Sequence, residues 1–220
     1  MNLNKLNIAL TNTILSECIE KEKILLTFSG GMDTRVILAI MLKHKIKPDL
    51  MTWDGSPNDI KIARNIATDL NLFHIIVPKK TSDKGWLESV NDVLKYYDVI
   101  FYGELMSETF NKFVRFTESE KKLNDIINNF FIWVKDNVDK AKINKAMPCL
   151  DKDVMRAVEE IPLCFRVYGY INRKLIKMNY PYLLMYQHTT VNLRYRLCEC
   201  LYWLFVPFLE HYVGAKGCQQ

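Results

Sequence analysis

The chain has no C-x-x-C pair among its six cysteines and no zinc-like spacing among its four histidines. Both a thioredoxin-like redox couple and the common structural zinc sites need ligands at short fixed intervals, so both are excluded. Cys18, Cys149, Cys164, Cys198, Cys200 and Cys218 are scattered among apolar positions. That is the pattern of reduced, mostly buried thiols, and it sets an expectation of a cytoplasmic protein. Long hydrophobic runs are missing too. The most apolar segment, Leu197 to Val213, is interrupted by Glu199, Pro207 and Glu210. It is too short for a membrane span and reads as a buried helix or a contact between two copies. No signal peptide is evident, and the opening residues fit an amphipathic helix. Also absent are the G-x-x-x-x-G-K-[ST] loop, the G-x-G-x-x-G fingerprint, any internal repeat and any basic stripe with interleaved aromatics.

What is present is an ordinary globular composition. Its 220 residues are 49% hydrophobic and 25% charged, enough for one domain with a real core. The net charge of +5 suits an anionic ligand and would also suit weak RNA contact, without demanding nucleic acid. The first half alternates strand-like and helix-like stretches: strands at Ile24–Phe28, Asp49–Trp53, Phe73–Val77 and Val99–Tyr102, helices at Asp33–His44, Asn58–Leu70 and Trp86–Tyr96. Asp54-Gly55-Ser56-Pro57 marks a strong turn. Such alternation predicts an α/β fold with a parallel twisted sheet and flanking helices. After about Phe113 the pattern is helical only, with a charged helix at Glu118–Asn137 and a Lys/Asn-rich connector to Pro148. We therefore expect a single domain over 1–220, with a nucleotide-type core over 1–115 and a helical lobe over 116–220.

The most informative string is Ser29-Gly30-Gly31-Met32-Asp33-Thr34, at the seam between an apolar strand and a helix. Glycines allow a tight turn and a close approach. Ser29 and Thr34 bring hydroxyls, and Thr34 or Asp33 can cap the helix. Backbone N–H groups and the helix dipole converge there, and such a place takes an anion, above all a phosphate. Ligands of parallel α/β sheets bind beyond the carboxyl ends of the strands, so the loops after Phe28, Trp53 and Tyr102 should share one cleft.

This string resembles the pyrophosphate loop of the N-type ATP pyrophosphatases, which include asparagine synthetases, argininosuccinate synthetases, GMP synthetases and tRNA thiolation or lysidine enzymes. Three further stretches resemble the asparagine synthetases in particular. Trp53-Asp54-Gly55-Ser56-Pro57-Asn58-Asp59 matches their second strand-turn-helix, where the strand end reads adenine; Met51 and Thr52 hold that position. Tyr102-Gly103-Glu104-Leu105-Met106-Ser107-Glu108 matches part of a Gly-Asp/Glu-Gly-x-Asp-Glu string. Two carboxylates four apart at a helix start share one face, a natural holder for Mg²⁺ beside phosphates. Met147-Pro148-Cys149-Leu150-Asp151 is similar to Val-Pro-Phe-Leu-Asp, and Arg173 and Pro181 fit the Arg and Pro downstream. On its own, that string is the start of a helix with Asp151 as its cap; Asp151 orders the helical lobe or contacts substrate.

The resemblance implies ATP and Mg²⁺ as cofactors. Thr27, Phe28, Ser29, Gly30, Gly31, Asp33, Thr34, Met51, Thr52, Tyr102 and Gly103 would contact ATP. Asp33, Glu104 and Glu108 would hold the metal, and these three with Arg173 would be catalytic. The implied reaction activates a small carboxylate as an acyl-adenylate, releases pyrophosphate and lets an amine displace AMP. With no glutaminase segment, the amine would come from free ammonia or a separate glutaminase partner. The chain departs from the pattern at one telling place: the lysine expected four residues before Arg173 is Gly169. Lys145 and Lys174 are the nearby cations. Two other readings stay open, a tRNA-modifying ATPase with the same loop and an ATP-binding chain without catalysis.

Overall fold

The computed structural model describes residues 2–78, 93–103, 110, 144–166, 168–186 and 200–211. Five strands, β1 (Ile24–Thr27), β2 (Asp49–Asp54), β3 (His74–Pro78), β4 (Val99–Phe101) and β5 (Asn144–Ala146), form one sheet in the order β3-β2-β1-β4-β5. Every neighbouring pair is parallel. The α/β class expected from the alternation is therefore the class observed. The helices are α1 (Leu3–Cys18), α2 (Met32–Lys43), α3 (Pro57–Asp69), α4 (Lys152–Glu159) and α5 (Tyr170–Asn179), with α6 at residues 200–211.

Period-two alternation decides which face each strand residue covers. Ile24, Leu26, Phe28, Leu50, Val99 and Phe101 turn to the larger core, which also takes α1, α2, α4 and α5. Leu25, Met51, Val77, Ile100 and Tyr102 turn to the opposite face, where Leu94 joins them. β1 is buried along its whole length, as a central parallel strand must be. α2 is buried almost all round from Thr34 to Met41, so it is a core helix rather than a surface one.

One expectation fails. Residues beyond Phe113 are not helical throughout, because Asn144–Ala146 adds a fifth strand beside β4, with Ile100 opposite Lys145 and Phe101 opposite Ala146. Three residues with a central lysine carry no readable strand pattern, and the pairing comes from the neighbour rather than from local preference. The helices expected at Trp86–Tyr96 and Glu118–Asn137 lie outside the described residues, apart from residues 93–96 of the first. Among the described residues no helix is long and apolar enough to cross a membrane. α6 buries Val206 but leaves Leu201, Leu204, Phe205 and Phe208 exposed.

The lobe beyond β5 is fixed by polar anchors. Asp151 Oδ1 accepts from the backbone N–H of Asp153 at 2.8 Å and of Val154 at 3.2 Å, capping α4. Asn179 donates to Asn7 on α1, and Lys5 pairs with Glu160. Asp151 thus orders the lobe, and Asp151→Ala should lower unfolding stability by about 1 kcal/mol, read by urea denaturation.

Candidate functional site

In the order β3-β2-β1-β4-β5 the chain builds outward from β1 through β2 to β3, then crosses back to lay β4 and β5 on the other side of β1. The crevice at that switch lies between the ends of β1 and β4, and ligands of open parallel sheets bind there. Two loops meet at it. The first is Phe28–Gly31, leading into α2. The second starts at Tyr102-Gly103.

Gly30 sits at φ +74°, a left-handed angle that suits glycine, and a Cβ there would stand 2.6 Å from Ile62 Cγ2 and 3.3 Å from the Ala63 nitrogen on α3. Gly31 is different. It is the N-cap of α2 at φ −69°, and among the described residues a Cβ on it would meet only Ser29 Oγ, at 3.1 Å. As a glycine, the N-cap has no side chain with which to cap α2. The Gly31 N–H donates to Ser29 Oγ at 3.2 Å, and Thr34 Oγ1 donates back to the Gly31 carbonyl at 3.3 Å. The N-cap is thus Gly31 rather than Asp33 or Thr34, and the N–H groups of the first turn face the start of the helix, where an anion is favoured. Gly103 closes the site from the β4 side. A Cβ there would lie 2.6 Å from Thr34 Cγ2 and 3.1 Å from the Thr34 backbone, so only a bare backbone lets the second loop lie on the start of α2.

Behind the bend lies a residue that the sequence reading passed over. Arg35, 1% exposed, donates from Nε to the Gly30 carbonyl at 2.7 Å. Its Nη1 reaches the carbonyls of Leu183 at 3.2 Å and Tyr186 at 2.9 Å. Burial, and then the neighbouring charge of Arg173, push the guanidinium down to about 10, so it stays charged at neutral pH. The available signal was a charged residue placed directly ahead of the apolar run Val36–Met41 on a helix with no exposed face.

The expected residues divide into two groups. Ser29, Gly30, Gly31, Asp33, Thr34 and Gly103 gather at the crevice. On α5 the side-chain amide of Asn172 donates to the Asp33 carboxylate, and the charge of the next residue, Arg173, is felt by Arg35. Arg173 also lies over the ring of Trp203, 5.5 Å from its centroid. Thr27, Phe28, Met51, Thr52 and Tyr102 are buried and hold the strand ends. Thr27 Oγ1 donates to the Phe101 carbonyl, the Phe28 N–H to Met51 and the Tyr102 N–H to Ala146. Thr52 Oγ1 donates to the Phe28 carbonyl at 2.5 Å and lies 2.8 Å from His74 Nε2. With the single hydroxyl proton spent on Phe28, Nε2 of His74 is the donor to Thr52. Glu104 and Glu108 lie outside the described residues.

Among the described residues no three acidic, His or Cys side chains gather around a point. Asp33 is therefore the described member of the expected acid set. At the slot of the missing lysine, Gly169 has φ +66°, and among the described residues nothing lies within 4 Å of where a Cβ would be. Lys174 does not stand in for it, since its Nζ lies 2.6 Å from Glu210 Oε1. Lys145 is on β5, opposite Ile100.

No protein-family model matches the sequence, and no curated protein matches it. Solved structures do. An NMN synthetase from Francisella tularensis is similar over 87% of this chain and 98% of its own, with 11% identity and a TM-score of 0.39. A predicted subunit of tRNA methyltransferase from Methanocaldococcus jannaschii is similar over 78% of this chain and 93% of its own, with 15% identity and a TM-score of 0.34. At that distance the function has to be argued from this chain's own residues.

Gly30→Ala should destabilise the fold by at least about 1–2 kcal/mol, the ordinary penalty for a left-handed alanine, before Ile62 is displaced. Gly31→Ala should cost much less, and urea denaturation of the two variants tests the contrast. Burial first and Arg64 second hold the His74 imidazole below its ordinary value. Unfolded chains therefore take up that proton first as pH falls through about 6.5, so the contribution of His74 is present above that pH and lost below it. The melting temperature should fall between about pH 7.5 and 5.5, and His74→Gln should flatten that slope.

Proposed function

We propose that this chain is a PP-loop ATP pyrophosphatase of the asparagine-synthetase-like kind, which adenylates a small carboxylate and releases pyrophosphate. One observation carries the reading: a helix N-terminus whose N-cap is a glycine, behind a left-handed glycine, set at the switch between β1 and β4. A polyphosphate would lie on Ser29–Thr34, receiving N–H donors and the positive end of the α2 dipole. Adenine would lie toward the end of β2, next to Met51 and Thr52.

Asp33, with Glu104 and Glu108, would hold Mg²⁺; the Asp33 carboxylate at the crevice is a hard oxygen donor of the kind that cation takes, and the buried amide oxygen of Asn172 beside it has no donor among the described residues. When bound, it supplies charge neutralisation on the phosphates. The chain's own share is positioning. The first turn of α2 fixes the β- and γ-phosphates, Arg35 keeps the Gly30 carbonyl turned away from them, and Arg173 adds positive charge at the α5 side of the crevice. A carboxylate oxygen of the substrate attacks the α-phosphorus, the bond to the bridging oxygen breaks and pyrophosphate leaves. An amine, from ammonia or a glutaminase partner, then displaces AMP.

A second reading is favoured by Gly169. Its bare Cα and left-handed angle offer no cation where the synthetases carry lysine, which fits a chain that binds ATP without making an amide.

The test is pyrophosphate release with Mg-ATP against amino acids plus ammonia, with tRNA as a separate arm. Release that depends on an amino acid supports the main reading. Release that depends on RNA supports a tRNA-modifying enzyme, and ATP binding without turnover supports the second reading. Gly31→Val should abolish ATP binding while leaving the fold intact, because its side chain would stand before the N–H donors. Normal ATP binding by that variant would overturn the assignment of the loop.

A further inference from the structure

Asn172 is 1% exposed and lies on α5, far along the chain from the loop. Its Nδ2 donates to Oδ1 of Asp33. A carboxylate only accepts, so this contact fixes which end of the amide faces Asp33. The amide oxygen is left over, and Asn172 Oδ1 is a buried acceptor to which nothing among the described residues donates. A buried acceptor without a donor is costly and calls for a partner from outside the chain. The amide carrying it is bonded to the one described acid of the crevice, at a helix start whose N-cap is a glycine. A donor arriving here therefore meets a carboxylate, a neutral amide oxygen and backbone N–H groups together. A hydrated divalent cation on a phosphate chain meets all three requirements: it bonds directly to carboxylates, donates through its waters to neutral oxygens, and accompanies an anion that accepts from N–H.

We propose that Asn172 is the positioning residue of the metal site, holding the Asp33 carboxylate through Nδ2 and accepting at Oδ1 from a water of the bound cation. This rests on the nucleotide reading above and adds to it a residue from the helical lobe. The placement also means that the cation joins α5 to the start of α2, so the lobe and the loop are held together when the site is filled.

The experiment compares wild type with Asn172→Leu, which keeps the volume and removes both polar ends. ATP affinity is measured by calorimetry with Mg²⁺ and again in excess EDTA, and Mn²⁺ binding to the ATP complex is followed by electron paramagnetic resonance. Loss of such an orienting partner should weaken the metal-dependent affinity about 10–100-fold and leave binding in EDTA unchanged. Equal weakening in both conditions would assign Asn172 to the loop's architecture and overturn the proposal, and so would no weakening in either. Asn172→Ser gives the same comparison if the leucine variant does not fold, with thermal unfolding as the control. Wild-type protein that binds ATP neither with nor without Mg²⁺ would instead remove the nucleotide reading itself.

Discussion

The structure depends on a guanidinium that never reaches water. Arg35 grips the Gly30 carbonyl with one nitrogen and the Leu183 and Tyr186 carbonyls with another. A lone hydrogen bond of this type stabilises modestly, but charged donors in a dry interior are worth more, and leaving their acceptors bare is costly. The bond to Gly30 settles the direction of one peptide group. With that carbonyl held by Arg35, the N–H of the same peptide group, that of Gly31, points the other way and donates to Ser29 Oγ. The Arg35 side chain ties the bend to a short turn near residue 183, so the loop cannot shift without the lobe registering it. Tyr186 carries the link further by donating to Asp69 at the end of α3.

Much of this was readable from residue order. The strands Ile24–Thr27, Asp49–Asp54 and His74–Pro78 fell within a residue or so of where apolar runs and turn residues put them. Parallel strands buried on both faces are nearly continuous apolar runs, and that signal survives in a single sequence. β5 was invisible because Asn144-Lys145-Ala146 has neither alternation nor β-branched residues; it is a strand by virtue of the edge it meets. Gly30 was legible as a turn glycine, whereas Gly31 proved to sit at an ordinary backbone angle, its small size mattering for access rather than for geometry.

The polar partners were less legible, for a physical reason. Arg35 and Asn172 act across distances in sequence that no local pattern records: Arg35 meets residues 148 and 151 positions away, and Asn172 meets Asp33 across 139. A motif preserves what neighbours along the chain do together. It says nothing of a side chain delivered from a separate helix, and both of these look like surface residues until α2 and α5 are packed. Thr52 shows the converse. Its position at a strand end suits a ligand, yet its hydroxyl bridges Phe28 and His74 and fastens β1 to β2 and β3.

Tyr168 and Gly169 stand in succession at φ +49° and +66°, immediately before α5. A lysine installed at 169 by a single codon change would inherit a left-handed backbone and about 1–2 kcal/mol of strain, with no packing among the described residues to offset it. Backbone strain rather than crowding is what favours glycine at 169. The shape of this bend works as a ratchet: a change to glycine at 169 relaxes the backbone, and a change away from it strains the backbone.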